Sequence, residues 1–312
     1  MTQMKKIAIL ALILGLMVPC MGVLAPCYAT NPNDHTSMLL DNDQRLQKKM
    51  KKRVIAEDEE DVYYIISGEA DKAIEAEDYH TAVLRLKEAI ELEPENPSNV
   101  LLLSNLGMVY SYLDQDTLAL KAYNEALDKA PSMVTVLENR AKLHLKMGND
   151  LNAYQDFANV IQRDSLNTEA RYYHGLMSLY KGDSGAAERD FNIIKKQEPK
   201  GYYTAVALST LYSFSGKDSE AVPYYKRVLE MDKAPEFYAG LAGCYLKLGQ
   251  LSDASQTISE GLQECGDDPE LYYYRAWLNR DSYLLDEAKA DAAKAVQLGA
   301  DPRKAAMLFK KK

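Results

Sequence analysis

Seven alanines mark the chain at near-constant intervals. Ala82, Ala119, Ala153, Ala187, Ala221, Ala254 and Ala288 follow one another at spacings of 37, 34, 34, 34, 33 and 34 residues. Four positions after each stands Leu86, Tyr123, Phe157, Phe191, Tyr225, Ile258 or Ala292. Eight positions after stands Ile90, Leu127, Ile161, Leu229, Leu262 or Val296, with Lys195 the exception. Five positions before, the middle copies carry Gly148, Gly182, Gly216 and Gly249. A period near 34 residues marks stacked units, each too small to bury its apolar face without a neighbour. Such a solenoid presents a long exposed face suited to holding partners.

Within a unit the spacing is helical. Leu103, Leu106, Gly107 and Tyr110 fall at i, i+3, i+4 and i+7, and Ala119, Tyr123, Ala126 and Leu127 repeat the rule in a second helix. The small residues allow close approach while Tyr123 fills the layer between them. Glycines such as Gly148, Gly182 and Gly249 suit the positive φ that ends a first helix. Asp183 and Ser252 are candidate N-caps for second helices. Pro94, Pro131 and Pro199 close second helices.

These residues resemble the tetratricopeptide repeat family. Its signature positions are occupied in the second copy by Leu106-Gly107, Tyr110, Ala119, Tyr123, Ala126 and Pro131. The fourth copy supplies Gly175, Gly182, Ala187, Phe191 and Pro199, and the fifth Tyr212, Gly216, Ala221 and Tyr225. The resemblance implies an all-α solenoid of seven helix-turn-helix repeats in a right-handed superhelix, closed by a C-terminal capping helix. The repeats are placed at 63–96, 100–133, 134–167, 168–201, 202–235, 235–268 and 269–302. Repeat 1 departs from the pattern with Glu69, Ala70 and Ala73, and repeat 7 with Tyr283 and Ala292, as terminal units do. Asp301-Pro302 can start a helix whose Ala305, Ala306, Leu308 and Phe309 cover the last face, within a capping helix and basic tail at 303–312.

The amino terminus has the layout of a secretory signal peptide, 1–29: Lys5-Lys6, an apolar run from Ile7 to Val18, then Cys27-Tyr28-Ala29 before the cleavage point. Two alternatives stand beside it. The apolar stretch extended to Leu24 serves as an uncleaved anchor, or Leu24-Ala25-Pro26-Cys27 serves as a lipidation box, though Pro26 fits such a box badly; Cys20 behind Pro19 fits no better. Residues 30–62 read as a polar linker, in which Lys48-Lys49 and Lys51-Lys52-Arg53 precede Glu57-Asp58-Glu59-Glu60-Asp61. Beyond the signal remain Cys244 and Cys265. They are expected at opposite ends of one hairpin, farther apart than the roughly 7 Å between Cα atoms that a disulfide allows.

The formal charge of −9 excludes nucleic acid as a partner, because that binding needs clustered cations. Of four histidines, His35 lies in the linker, His80 in repeat 1, and His144 and His174 at core positions of first helices. No metal-binding or phosphate-binding motif surrounds them. The expectation is a protein with no enzymatic activity, cofactor or metal.

Twenty-two tyrosines are the sharpest functional signal. Tyr110, Tyr123, Tyr212, Tyr225, Tyr238, Tyr245 and Tyr272 fall at core positions, and Tyr63 and Tyr202 suit repeat junctions. In the family resembled, positions 2, 5, 9, 12 and 13 of each repeat line a ligand groove. Here they give Tyr64, then Met108 and Tyr112, then Lys142 and Lys146, then Tyr172, Leu176 and Tyr180. Tyr203 and Phe214 follow, then Lys247, then Tyr273, Trp277 and Arg280. Aromatic residues mixed with cations suit a binding surface. The cationic clamp by which co-chaperones of this family hold a peptide carboxylate is missing at Ser67, Asp71, Asn105, Thr135 and Asn139. The expectation is a scaffold of the bacterial cell envelope, periplasmic and binding a protein or extended peptide, with membrane contact only through an N-terminal anchor. The alternatives are an envelope-anchored structural subunit, as a lipoprotein or with its signal uncleaved, and a glycan-binding module whose tyrosines stack on sugars.

Overall fold

A computed structural model describes residues 62–310. The signal peptide, its alternatives at Cys20 and Cys27, the linker as far as residue 61, and the last two lysines lie outside the described residues. The described residues hold fifteen helices and no strand. In order these are α1 (Val62–Glu75), α2 (Tyr79–Leu92), α3 (Asn99–Tyr112), α4 (Asp116–Lys129), α5 (Val134–Lys146), α6 (Asp150–Arg163), α7 (Thr168–Lys181) and α8 (Ser184–Gln197). Then come α9 (Tyr202–Phe214), α10 (Asp218–Leu229), α11 (Pro235–Lys247), α12 (Leu251–Cys265), α13 (Pro269–Asp281), α14 (Leu285–Gln297) and α15 (Pro302–Met307). Consecutive helices pack as pairs, and the fold is an all-α repeat solenoid. None of these helices is long and apolar enough to cross a membrane.

Residues 62–153 belong to one compact unit and 154–310 to another, the division falling inside α6. In the first, α1 packs on α2 and α3 on α4, and α2 and α4 each touch the next helix. The eighth position of each repeat is small and buried: Ala70, Gly107 and Ala141 here, and Gly175, Ser209, Ala242 and Ala276 in the second unit. The reason is steric. A Cβ at Gly107 would stand 2.6 Å from Tyr123 Cε1, and one at Gly175 would collide with Phe191 in the same way. The aromatic residue four positions after the marker alanine therefore occupies the volume that the glycine vacates.

The second-helix stripe differs from its sequence reading by one position. Ala89, Ala126, Val160, Ile194, Val228 and Ala295, seven residues after each alanine, are fully buried. Of the residues eight positions after, Leu127 alone is buried, and Lys195 is exposed. Repeat 4 is thus no exception, because Ile194 fills the position that faces inward.

Every turn between paired helices contains one left-handed residue. Gly148, Gly182, Gly216 and Gly249 take φ of 73°, 87°, 72° and 73°, and Glu77, Asp114 and Tyr283 take 56°, 55° and 63° at the equivalent places. The chain direction there demands positive φ whether or not glycine is present. The Asp183 side chain caps α8 by accepting from Ala186 N at 2.9 Å. Ser252 does not act as an N-cap; it lies inside α12, whose N-cap is Gln250.

In the second unit α7 packs on α8, α9 on α10, α11 on α12 and α13 on α14, and α15 closes on α14. Ala305 and Leu308 join Tyr273, Ala276, Ala292 and Ala295 in one apolar cluster. Phe309, expected to help cover this face, remains 37% exposed.

Candidate ligand-binding face

The first unit contributes five of the predicted groove residues, and they are unequally available. Tyr64 is exposed and meets the buried Tyr63 edge-on, with ring centroids 5.3 Å apart. Tyr63 in turn is a junction residue, its hydroxyl donating to Asn99 Oδ1 at 3.0 Å. Met108 and Lys142 are half-buried. The Tyr112 ring lies 5.1 Å from that of Tyr79. Lys146 is committed to the preceding repeat, donating to Asp114 and Asp116 at 2.8 Å each and to the Ser111 carbonyl at 3.0 Å. Burial opposes its charge, but these carboxylates outweigh it and hold the ammonium pKa above its ordinary value.

In the second unit Tyr172 and Leu176 are completely buried. Their place one turn inward on α7 packs them between layers. Tyr180, Tyr203 and Phe214 are half-buried and keep an accessible edge. Lys247 pairs with Asp218 at 2.8 Å, as Lys146 does with Asp116. Tyr273 is covered by the cluster that α15 completes, and Arg280 donates to the Leu308 carbonyl at 3.0 Å. The half-buried Trp277 donates from Nε1 to Asp281 at 2.7 Å. The cations mapped to the groove in this unit are thus tied down, and three aromatic residues of α7 and α9 retain an open side.

Around them the structure adds carboxylates. The Tyr172 ring centroid lies 5.1 Å from Tyr203 and 5.2 Å from Tyr173, and Tyr202 meets Tyr203 at 5.7 Å. Tyr202 donates to Asp232 at 2.9 Å, and the charge of Glu169 acts on the Tyr203 hydroxyl. Glu169 and Glu236 occupy the second position of their repeats, the same position as Tyr203. The sequence reading took aromatic residues and cations from that column and passed over its carboxylates. Burial pushes the Tyr172 and Tyr203 hydroxyls well above the usual tyrosine pKa and raises the Glu236 carboxyl.

A second polar group secures α7 to α8. Asp190 takes Arg171 on one oxygen and His174 Nδ1 on the other, both at 2.6 Å, and His174 stacks on Tyr154 at 4.3 Å. His174 is therefore fully engaged in packing. A hollow of about 430 Å³ on α4, lined in part by Thr117, Lys121 and Glu125, touches none of the groove residues.

Comparisons with known proteins agree with this architecture. A tetratricopeptide repeat family model matches residues 215–278. Tetratricopeptide repeat protein 8 of Caenorhabditis elegans is 23% identical over 238 residues, covering 72% of this chain. The match spans 40% of the length of that curated relative. The crystal structure of a tetratricopeptide repeat protein from Parabacteroides merdae superposes with a TM-score of 0.64 and 26% identity, over 79% of this chain and 97% of that one. The type IV pilus biogenesis factor PilW superposes with a TM-score of 0.57 and 17% identity, over 68% of this chain and 98% of that one. Paired helices, buried small eighth positions and left-handed turns give the chain the tetratricopeptide repeat architecture, and the family's model matches it over residues 215–278.

Proposed function

We propose that this protein is a non-enzymatic scaffold that binds a protein or extended peptide along the exposed face of its first helices. One observation carries the reading: Tyr180, Tyr203 and Phe214 keep an open edge on successive first helices, whereas neighbouring Tyr172 and Leu176 are sealed. Half-exposed aromatic residues offer large contact area with little side-chain entropy to lose, which is why they dominate binding hot spots. A peptide laid across α7 and α9 would cover them together. The working location is the bacterial cell envelope, a reading supported by Lys5-Lys6, the apolar run from Ile7 and Cys27-Tyr28-Ala29. Selection of a displayed random-peptide library on the full chain, followed by titration of the selected peptides against Tyr180→Ala and Phe214→Ala, tests the assignment. Selected peptides that bind both variants as tightly as the parent would place the contact elsewhere.

A further inference from the structure

The last turn between paired helices breaks the pattern of those before it. In the earlier turns the left-handed residue is glycine, glutamate or aspartate, and the residue after it is aspartate, glutamine, asparagine or lysine. Between α13 and α14 the same two places hold Tyr283 and Leu284, with Leu285 next. All three are exposed, Tyr283 by 90%. A bulky residue at a φ of 63° is strained, and strain of this kind marks places where a side chain is kept for use. Three consecutive exposed apolar residues likewise add nothing to the fold and point to a contact outside it.

A second apolar segment meets this tip. The Arg280 carbonyl accepts from Tyr283 N at 3.0 Å, and the Arg280 guanidinium donates to the Leu308 carbonyl at 3.0 Å. The end of α15, where Met307 and Phe309 stand exposed, is thereby tied to the turn. Positive charge gathers at the same end. Asp281 is occupied by Arg280 at 2.6 Å and by the Trp277 indole at 2.7 Å. Asp286 pairs with Lys289 at 3.7 Å. The exposed Glu287 then stands against the exposed Lys310 and the Lys311-Lys312 that follow it in sequence. In a chain of net charge −9 this end is locally basic.

We propose that Tyr283-Leu284-Leu285, with Phe309 and the lysines after it, docks the end of the second unit on an anionic phospholipid bilayer. Such docking goes beyond peptide binding on the first helices and does not depend on it. At 90% exposure Tyr283 projects from the fold, so a protein partner would have to supply a pocket shaped to it. A bilayer yields around a projecting apolar tip. The leucines enter the boundary of the acyl chains, tyrosine favours the headgroup level, and the lysines draw this end towards lipid phosphate.

The test is tryptophan fluorescence of the full chain on vesicles of equal parts phosphatidylglycerol and phosphatidylethanolamine with brominated acyl chains, which quench only an indole that reaches them. Trp277 is the sole tryptophan, so Tyr283→Trp combined with Trp277→Phe puts the one indole at the tip. That indole should shift to the blue and be quenched. Replacing Lys310, Lys311 and Lys312 with glutamine should raise the lipid concentration for half-quenching about tenfold or more. Brominated phosphatidylcholine vesicles should not quench. A second reading keeps Trp277: the same vesicles should quench it in the parent and not in Tyr283→Gly, whose glycine suits the turn and keeps the fold. A tip indole left unquenched on vesicles with which the chain floats would assign the contact to the apolar run from Ile7 to Val18 and overturn the docking. Quenching as strong on phosphatidylcholine, or unchanged by loss of the lysines, would overturn the choice of an anionic surface. An unquenched tip together with a lower sedimentation coefficient for lipid-free Tyr283→Gly would overturn it in favour of a contact between copies.

Discussion

Lys146 Nζ lies 2.8 Å from Asp116 Oδ1, joining the last turn of one first helix to the first turn of the preceding second helix. Lys247 and Asp218 repeat the arrangement at 2.8 Å. The position that sequence reasoning gives to a ligand-facing cation is here a bond between repeats. Lys146→Met should lower stability by about 1 kcal/mol or less, the range of partly exposed ion pairs. High salt should shrink the difference. A thermal melt at two ionic strengths checks this, and an unchanged melting point at low salt would show that the pair holds nothing.

Tyr283 takes a φ of 63° and is 90% exposed, so its side chain contributes little packing while its backbone bears the strain of a left-handed turn. Tyr283→Gly should stabilise the protein by about 0.5–1 kcal/mol, because relief of the left-handed penalty exceeds the added chain entropy. The same change at Gly182, made in reverse as Gly182→Tyr, should destabilise. Chemical denaturation of both variants measures the two signs.

Glu236 gives the protein a pH signature. Its carboxyl is raised above the ordinary 4.5 by burial, so the folded chain holds the proton more tightly than the unfolded chain. Its stabilising effect is therefore full below that value and is lost as pH rises through the folded pKa. Glu236→Gln should melt higher than the parent at neutral pH, and the gap should close towards pH 4. A parent that melts higher at neutral pH would mean that the carboxylate is already compensated within the fold.

Cys244 is completely buried, and its thiol is pushed up to about 12 by burial with Asp218 adding to it. Cys265 is half-buried and donates to the Lys233 carbonyl at 3.1 Å. In a chain with Cys20→Ser and Cys27→Ser, a thiol reagent should modify Cys265 first and reach Cys244 only on unfolding. Modification of both at one rate in the native state would contradict the burial.

The repeat frame was legible because its signal is steric and recurs. Small residues must stand where helices touch, as at Gly107 against Tyr123, and the alanine markers report that requirement seven times. The stripe one position off, at Ile194 in place of Lys195, was not, since adjacent apolar residues on a second helix hide which of them faces inward. The candidate site was legible by column and not by depth. Tyr172 and Tyr180 both map to groove positions of α7, yet the first is completely buried and the second only half-buried. Lys146, Lys247 and Arg280 look available in sequence because their partners, Asp114, Asp218 and the Leu308 carbonyl, lie about thirty residues away and belong to no motif.

The central claim is that the half-open aromatic residues of the first helices bind while their sealed counterparts only support. It is tested most directly by measuring melting and peptide affinity together in Tyr180→Ala and Phe157→Ala. Phe157 is completely buried and stacks on Tyr173 at 5.0 Å, so its loss should cost about 3–5 kcal/mol of stability. Tyr180→Ala should leave melting nearly unchanged and cost about 2 kcal/mol or more of binding. A Tyr180→Ala protein that melts as early as Phe157→Ala, and binds peptide as well as the parent, would contradict the account.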